Sequence, residues 1–413
     1  MKPNQKLASS AKAQLGTQSS FASTQAAWRF YANGKTTLST IAAPLLASSC
    51  EGIERHCDEY ALIIHDWSSL NYYKHNGKHD KKILHNSYEQ GYELQSSIAI
   101  SDRNGMPIGV LAQNLATKDG VWSTYQGDNL QAEEVHLDEL SRRVQWLENL
   151  QITKRKVSIV DREADSVAWM RANAERCWLI RCRKNSSVNY NGKRYQLKKL
   201  AGELDYSSEL IEVQYNAKKA YQSTASVEVD VVRPALFQRK NEKRRLETYD
   251  NALKVRFVVS RVVDADGRCL AEWYLLTNVF EVFASTIARW YYWRWKIESF
   301  FKLLKQQGLQ IEEWQQESGL AIAKRLLVAS QACVLAWQLR HDETTEALET
   351  QVFLVRLSGR QMKRKEPITN SALFDGIWLF LTMMDMLEQY TTPQLIKFKQ
   401  VILSFWEPSP KLV

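Results

Sequence analysis

From Tyr60 to Ile64 the chain is apolar without interruption, and it then turns polar at Asp66, Ser68 and Ser69. A run of this kind predicts a buried strand that delivers a site residue where it ends. Leu94–Ile100 and Ile108–Leu115 are two further strand candidates. The turn-rich tetrapeptide Asp102-Arg103-Asn104-Gly105 joins them and predicts an antiparallel hairpin. Over Glu133–Leu150 the apolar positions Val135, Leu137, Leu140, Val144, Leu147 and Leu150 follow a near-helical period, which predicts an amphipathic crossover helix. Val157–Val160 is then a short buried strand ending at Asp161, followed by helix over Val167–Asn173 and strand over Cys177–Cys182.

On either side of this region the pattern changes. The first twenty-odd residues are rich in Ser, Ala, Gln and Lys with little periodicity, and read as mobile or weakly helical. Order is expected from near Ala27, with short helices around Trp28–Tyr31 and over Thr37–Cys50, separated by Asn33 and Gly34. From about Asn185 to Asn278 the chain alternates in short segments, including Ser226–Val232, Val255–Val263 and Trp273–Leu276, and reads as a β-rich insertion. Val282–Gln307 reads as one strong helix, and the rest, with Leu326–Leu339 and Leu373–Leu387, is mostly helical. The expected division is a helical lead-in over 1–58, a first core segment over 59–184, the insertion over 185–278, a core helix over 279–320, and a helical C-terminal region over 321–413 suited to dimerisation.

Composition narrows the function classes. With 45% hydrophobic and 24% charged residues, the 413-residue chain is an ordinary globular protein, which excludes wholesale disorder. No stretch of roughly 20 uninterrupted apolar residues and no apolar signal core occur, so the expected location is cytoplasmic. The six cysteines lack paired C-x-x-C spacing and read as reduced structural thiols. A net charge of +9 favours a polyanionic partner. Two basic runs, Arg239, Lys240, Lys243, Arg244 and Arg245, and Lys363, Arg364 and Lys365, suit either phosphate tracking or a solvated loop.

The richest chemistry lies between Arg289 and Gly308. On a helix, Tyr291, Arg294, Glu298 and Lys305 project within a sector of roughly 60°, beside an apolar face of Trp290, Trp293, Ile297, Phe300, Phe301 and Leu304. Arg294 and Glu298 alone would be an ordinary i, i+4 surface pair. Trp295 and Lys302 at the edge of the stripe add an aromatic and a cation beside the carboxylate, a set suited to phosphate chemistry. Two-metal phosphodiester cleavage needs several carboxylates converging on ions about 4 Å apart. Asp66 and Asp161, each following a short apolar strand, would lie side by side at one sheet edge, and Glu298 could complete the cage. Oxygen-only ligands favour Mg²⁺ or Mn²⁺. Glu163 and Asp165 are rival or supporting carboxylates near Asp161.

At these residues the sequence resembles the DDE transposases of bacterial insertion sequences, in the subgroup that includes the transposase of the kanamycin-resistance composite transposon. The subgroup signature, Tyr-x2-Arg-x3-Glu-x6-Lys, is met by Tyr291, Arg294, Glu298 and Lys305, and the string Asp161-Arg-Glu-Ala-Asp165 is another hallmark. The resemblance runs from about Trp28 to the neighbourhood of Gln307. It implies a ribonuclease-H-like α/β core interrupted by a β-rich insertion, with Asp66, Asp161 and Glu298 as catalytic metal ligands. It also implies phosphate contacts by Tyr291, Arg294, Lys302 and Lys305, and base-stacking roles for Trp273 and Trp295 around a flipped base in a hairpin. The implied partner is double-stranded DNA, transposon end and target alike, held by a homodimer. Trp67 stands where relatives often carry a small hydroxyl residue, and the stretch before Asp66 is shorter than in longer relatives. A shortened, inhibitory DNA-binding form therefore stays open as a second reading, and a general nuclease without strand transfer as a third.

Overall fold

The computed structural model describes residues 18–207, 210–215, 218–231, 235–237, 245–247, 252–305, 309–360 and 368–404. Two helices lead in, α1 (Gln18–Ala32) and α2 (Leu38–His56), and the Thr37 side chain caps the second by accepting from the Thr40 amide. Then come β1 (Tyr60–Asn71), β2 (Lys82–Ile83), β3 (Gln90–Ser101), β4 (Pro107–Ala116) and β5 (Val121–Ser123). Helix α3 (His136–Glu148) crosses to β6 (Arg155–Val160), which is followed by a 3-10 turn, α4 (Val167–Ala172) and β7 (Cys177–Arg181). Next are β8 (Ser187–Tyr190), β9 (Lys193–Gln196), α5 (Leu197–Ala201), β10 (Ile211–Tyr215) and β11 (Lys218–Val231). They lead to β12 (Ala235–Phe237), β13 (Arg245–Glu247), β14 (Leu253–Val263) and β15 (Cys269–Thr277). Helices close the chain: α6 (Ala284–Trp293), α7 (Lys296–Lys305), α8 (Gly319–His341), α9 (Thr345–Leu357), α10 (Asn370–Gln389) and α11 (Thr392–Ser404).

The architecture is mixed α/β around one large sheet ordered β5-β4-β3-β1-β6-β7-β15-β14-β11-β8-β9, with β2 and β10 attached at β3 and β11. Its centre, β1, β6 and β7, is parallel, and antiparallel strands flank it on both sides. Apart from β12 and β13, which pair with each other in a separate two-stranded sheet, the strands after residue 185 extend this same sheet, because β15 pairs with β7 at Leu275↔Arg181. The β3–β4 pairing is the hairpin expected from the sequence. Its turn residue Asp102 accepts the amides of Asp58, Glu59 and Tyr60 at 2.8–3.0 Å, which ties the start of β1 to the hairpin.

Strand alternation sorts the core into two faces. Leu62, Ile64, Val157, Ile159, Leu179 and Leu275 lie under α6, α7 and α8, whereas Ala61, Ile63, Val160, Ile180 and Leu276 lie on the other side with α3 and α4. Burying a side chain of this size contributes on the order of 1.5–3 kcal/mol, so the two faces fix the pleat register firmly.

Three local expectations are corrected. Strand β1 does not stop at Asp66 but runs on to Asn71, because β3 pairs with it as far as Asn71↔Gly91. The expected single helix from Val282 is two: the chain tightens at Arg294 and Trp295, where the Arg294 amide donates to Tyr291 O and the Ile297 amide to Arg294 O. Val135 is not a core contact, since it precedes α3 and is exposed. Runs 239–244 and 363–365 lie outside the described residues, as do residues 1–17, expected to be mobile or weakly helical; Arg245 opens β13. Among the described residues, which include all six cysteines, none is joined in a disulfide. Helix α8 is long and apolar enough to cross a membrane by composition, but 78% of its most apolar stretch is buried inside the fold, as in a core helix.

Candidate active site

Register brings the two aspartates together. Ile64 pairs with Ile159 in the parallel ladder, and Asp66 and Asp161 each lie two residues further on. With a side-chain period of two, both then point to the face covered by α6 and α7. Beyond Ile64, β1 pairs only with β3, which leaves its β6 side open beside Asp66. Asp161 caps the following 3-10 turn by accepting the Arg162 amide at 2.7 Å, and Asp66 accepts the Trp67 amide at 2.9 Å.

The helical pair supplies the rest. Arg294, at the break between α6 and α7, donates from Nη1 to Asp66 Oδ2 at 2.7 Å. Its Nη2 lies 3.7 Å from Asp161 Oδ2 and 3.9 Å from Glu298 Oε1. One guanidinium thus touches all three carboxylates. Tyr291 donates from its hydroxyl to Asp161 Oδ1 at 3.1 Å. Arg181, at the end of β7, adds a second cation 3.8 Å from Asp161. Nothing in the sequence singled out Arg181, although a basic residue at a strand end next to the Asp161 strand was a usable signal.

Burial sets the electrostatics. It pushes the Asp66 carboxyl up from its ordinary range, and the charge of Arg294 and the Trp67 amide pull it part of the way back. Burial likewise raises the Tyr291 hydroxyl, so the phenol stays a donor at neutral pH. For Arg294 burial works against the charge, but Tyr291, Asp66 and Asp161 outweigh it and hold the guanidinium more firmly protonated than usual. Lys305 is lowered by burial, partly offset by Glu312 and Glu298.

The remaining sequence candidates fall into two groups. Lys305 donates to the Ser69 carbonyl at 2.5 Å, beside β1 and short of the carboxylates. Trp273 is half-buried, with its ring 6.2 Å from that of Tyr291, and it lies two residues beyond the Leu275↔Arg181 pair, at the same end of the sheet as Asp161. Trp295 stands exposed beside Arg294, and Lys302 points out from another side of α7. Asp165 faces away, accepting the Arg183 amide and the Ser186 hydroxyl. Glu163 is held by His136, whose other nitrogen meets Glu93 at 2.9 Å.

The donor set is all oxygen and already converges on one positive charge, which is the environment a divalent cation of the Mg²⁺ type requires. Among the described residues no group of three acidic, His or Cys side chains is drawn close enough to hold an ion as it stands, because Arg294 lies between the carboxylates.

Carboxylates on adjacent parallel strands, backed by Arg and Tyr from a covering helix, form an arrangement compatible with phosphoryl transfer. The chain belongs to the transposase DDE domain family, whose profile it matches over residues 58–336. A search of curated proteins finds no match. The protein is therefore a transposase, with DNA as its partner.

Proposed function

We propose that the protein performs cut-and-paste transposition of an insertion sequence, with Asp66, Asp161 and Glu298 holding Mg²⁺ or Mn²⁺. The observation that carries this reading is the contact of Arg294 with all three carboxylates, which marks a single point where their charges meet. Ions held at such a site would supply activation of an attacking oxygen and stabilisation of the leaving one. The Tyr-Arg-Glu-Lys spacing supports the subgroup named above, and the central order β4-β3-β1-β6-β7 supports a ribonuclease-H-like core with residues 185–278 as an insertion.

In the first step water attacks a phosphodiester at the element's end, the P–O3′ bond breaks, and the 3′ hydroxyl departs. That hydroxyl attacks the opposite strand to close a hairpin, water reopens it, and the same hydroxyl then attacks target DNA. Each step exchanges one P–O bond for another. Asp66, Asp161 and Glu298 would hold the ions beside the reacting phosphate. Arg294 and Tyr291, now turned to carboxylates, have the donors to grip phosphate oxygens instead. Lys305 and Lys302 supply further charge along the strand, and Trp273 and Trp295 offer ring faces for a displaced base. Two protomers acting together, in the cytoplasm, complete the proposal; the apolar side chains Met383, Met384, Leu387, Ile396 and Ile402 exposed on α10 and α11 support self-association.

The test is cleavage of a labelled duplex carrying the flanking element's terminal repeat, with Mg²⁺ or Mn²⁺. Wild type is expected to give 3′ nicks and hairpins. Asp161→Ala and Glu298→Ala are expected to lose cleavage by about a thousandfold or more while binding DNA within about threefold of wild type. Cleavage by Glu298→Ala would sink the site assignment. Binding without cleavage by wild type would favour an inhibitory form, and cutting without end preference a general nuclease.

A further inference from the structure

A second cluster of charge lies on α7, away from the carboxylates. A cavity of about 300 Å³ opens between α7, α8 and the start of α10, and it holds Lys296, Lys302 and Arg340 with Thr369 and Asn370. Among the described residues no acidic side chain lines it. Among the described residues none of the three cations forms an ion pair; the one hydrogen bond of Arg340 runs from Nη1 to Asn370 Oδ1 at 2.8 Å. At about 30 Å³ per water, the space takes roughly ten waters, enough for a hydrated phosphate.

Like charges gathered in a half-buried cavity repel one another and lose hydration, which costs stability unless an anion joins them. The strain is visible in Lys296, whose ammonium is pushed below its ordinary range by burial and by Arg340. Arg340 is itself lowered by burial. The N-terminal turn of the 20-residue α10, capped by Thr369, adds its positive end to the same space.

Placement favours a strand of DNA over a free anion. Around α7, Lys296, Ser299 and Leu303 are rotated by roughly 100–160° from Glu298, and Lys302 lies between the two sides. The same helix therefore faces the catalytic carboxylates on one side and this cavity on the other. We infer that the cavity of Lys296, Lys302 and Arg340 is a second phosphate site, which grips a backbone phosphate of bound DNA away from the reacting one. The inference rests on the DNA-transaction reading above but needs no cleavage step.

Binding of a fluorescent random-sequence duplex, followed by anisotropy across a range of salt, tests it. Lys296→Gln and Arg340→Gln are each expected to weaken binding about 3–10-fold and to lower the slope of log K against log salt by about one; Lys296→Arg is expected to restore both. In unmutated protein, duplex DNA is expected to protect Lys296 from amine acetylation, read by mass spectrometry, whereas inorganic phosphate at the same phosphate concentration is not. Unchanged affinity and slope in Lys296→Gln, or no protection by DNA, overturns the inference. Protection by inorganic phosphate as strong as that by DNA reassigns the cavity to a free anion and also overturns it. The two readings fail separately: cleavage with no change of slope removes the phosphate site alone, and a changed slope without cleavage removes the transposition reading alone.

Discussion

At the scale of single residues, the site is stabilised by charges that bind one another before any substrate arrives. His136 illustrates this beside the Asp161 turn. It bridges Glu93 and Glu163, with Trp67 against its ring, and these hydrogen bonds raise its pKa to about 10. The native state therefore binds that proton more tightly than the unfolded chain, whose His titrates near 6.5. Its contribution is complete below pH about 6.5 and fades as pH rises through about 10. After allowance for solvent screening, His136→Gln is expected to cost about 1–2 kcal/mol at pH 6 and close to nothing above pH 10. Urea unfolding of both proteins across that range measures the gap, and a constant gap refutes the bridge. Asp66, Asp161, Glu298 and Arg294 were nameable as candidates from the sequence because the apolar runs leading to the two aspartates and the helical spacing of the other two put them on one side. His136 was not, because a lone histidine carries no signal until its two partners are brought near by folding.

At the scale of elements, turns and helix ends do the positioning. The Asp102–Gly105 turn was legible from composition, yet its packing was not. Gly105 adopts φ +68° directly beneath Trp293 at the end of α6, where an added Cβ would come within 2.3 Å of the indole. Gly105→Ala is expected to destabilise the fold by about 2–4 kcal/mol, from the left-handed backbone and the overlap together. It is also expected to lower cleavage further than folded fraction explains, because the overlap pushes on the helix that carries Tyr291. Denaturation paired with activity per folded molecule checks this; unchanged stability refutes it. The break at Arg294 escaped the sequence for a physical reason. Both α6 and α7 keep a helical period, and the tightened turn between them involves neither Gly nor Pro. Likewise β1 looked shorter than it is, since alternation fades after Asp66 while the ladder to β3 continues.

For the whole molecule, hydrophobic patterning foretold an α/β protein but not that most strands after residue 185 would join the same sheet. Pairing across such distances depends on edges meeting in space, which local periodicity does not encode. Exposed apolar side chains on α10 and α11 are the counterpart on the helical end. The double substitution Met383→Asp and Leu387→Asp is expected to leave the melting temperature nearly unchanged and to shift the DNA complex toward one protomer in sedimentation. Persistence of a two-protomer complex refutes that contact. Sheet continuity also governs how freely the sequence can drift. Trp273 and Asp161 are separated by backbone rungs, through Leu275↔Arg181, and not by a tether. Residues gained or lost at the Asp264–Arg268 turn at the hairpin tip leave that spacing untouched, so chains of this fold can diverge in length there while the site stays in alignment.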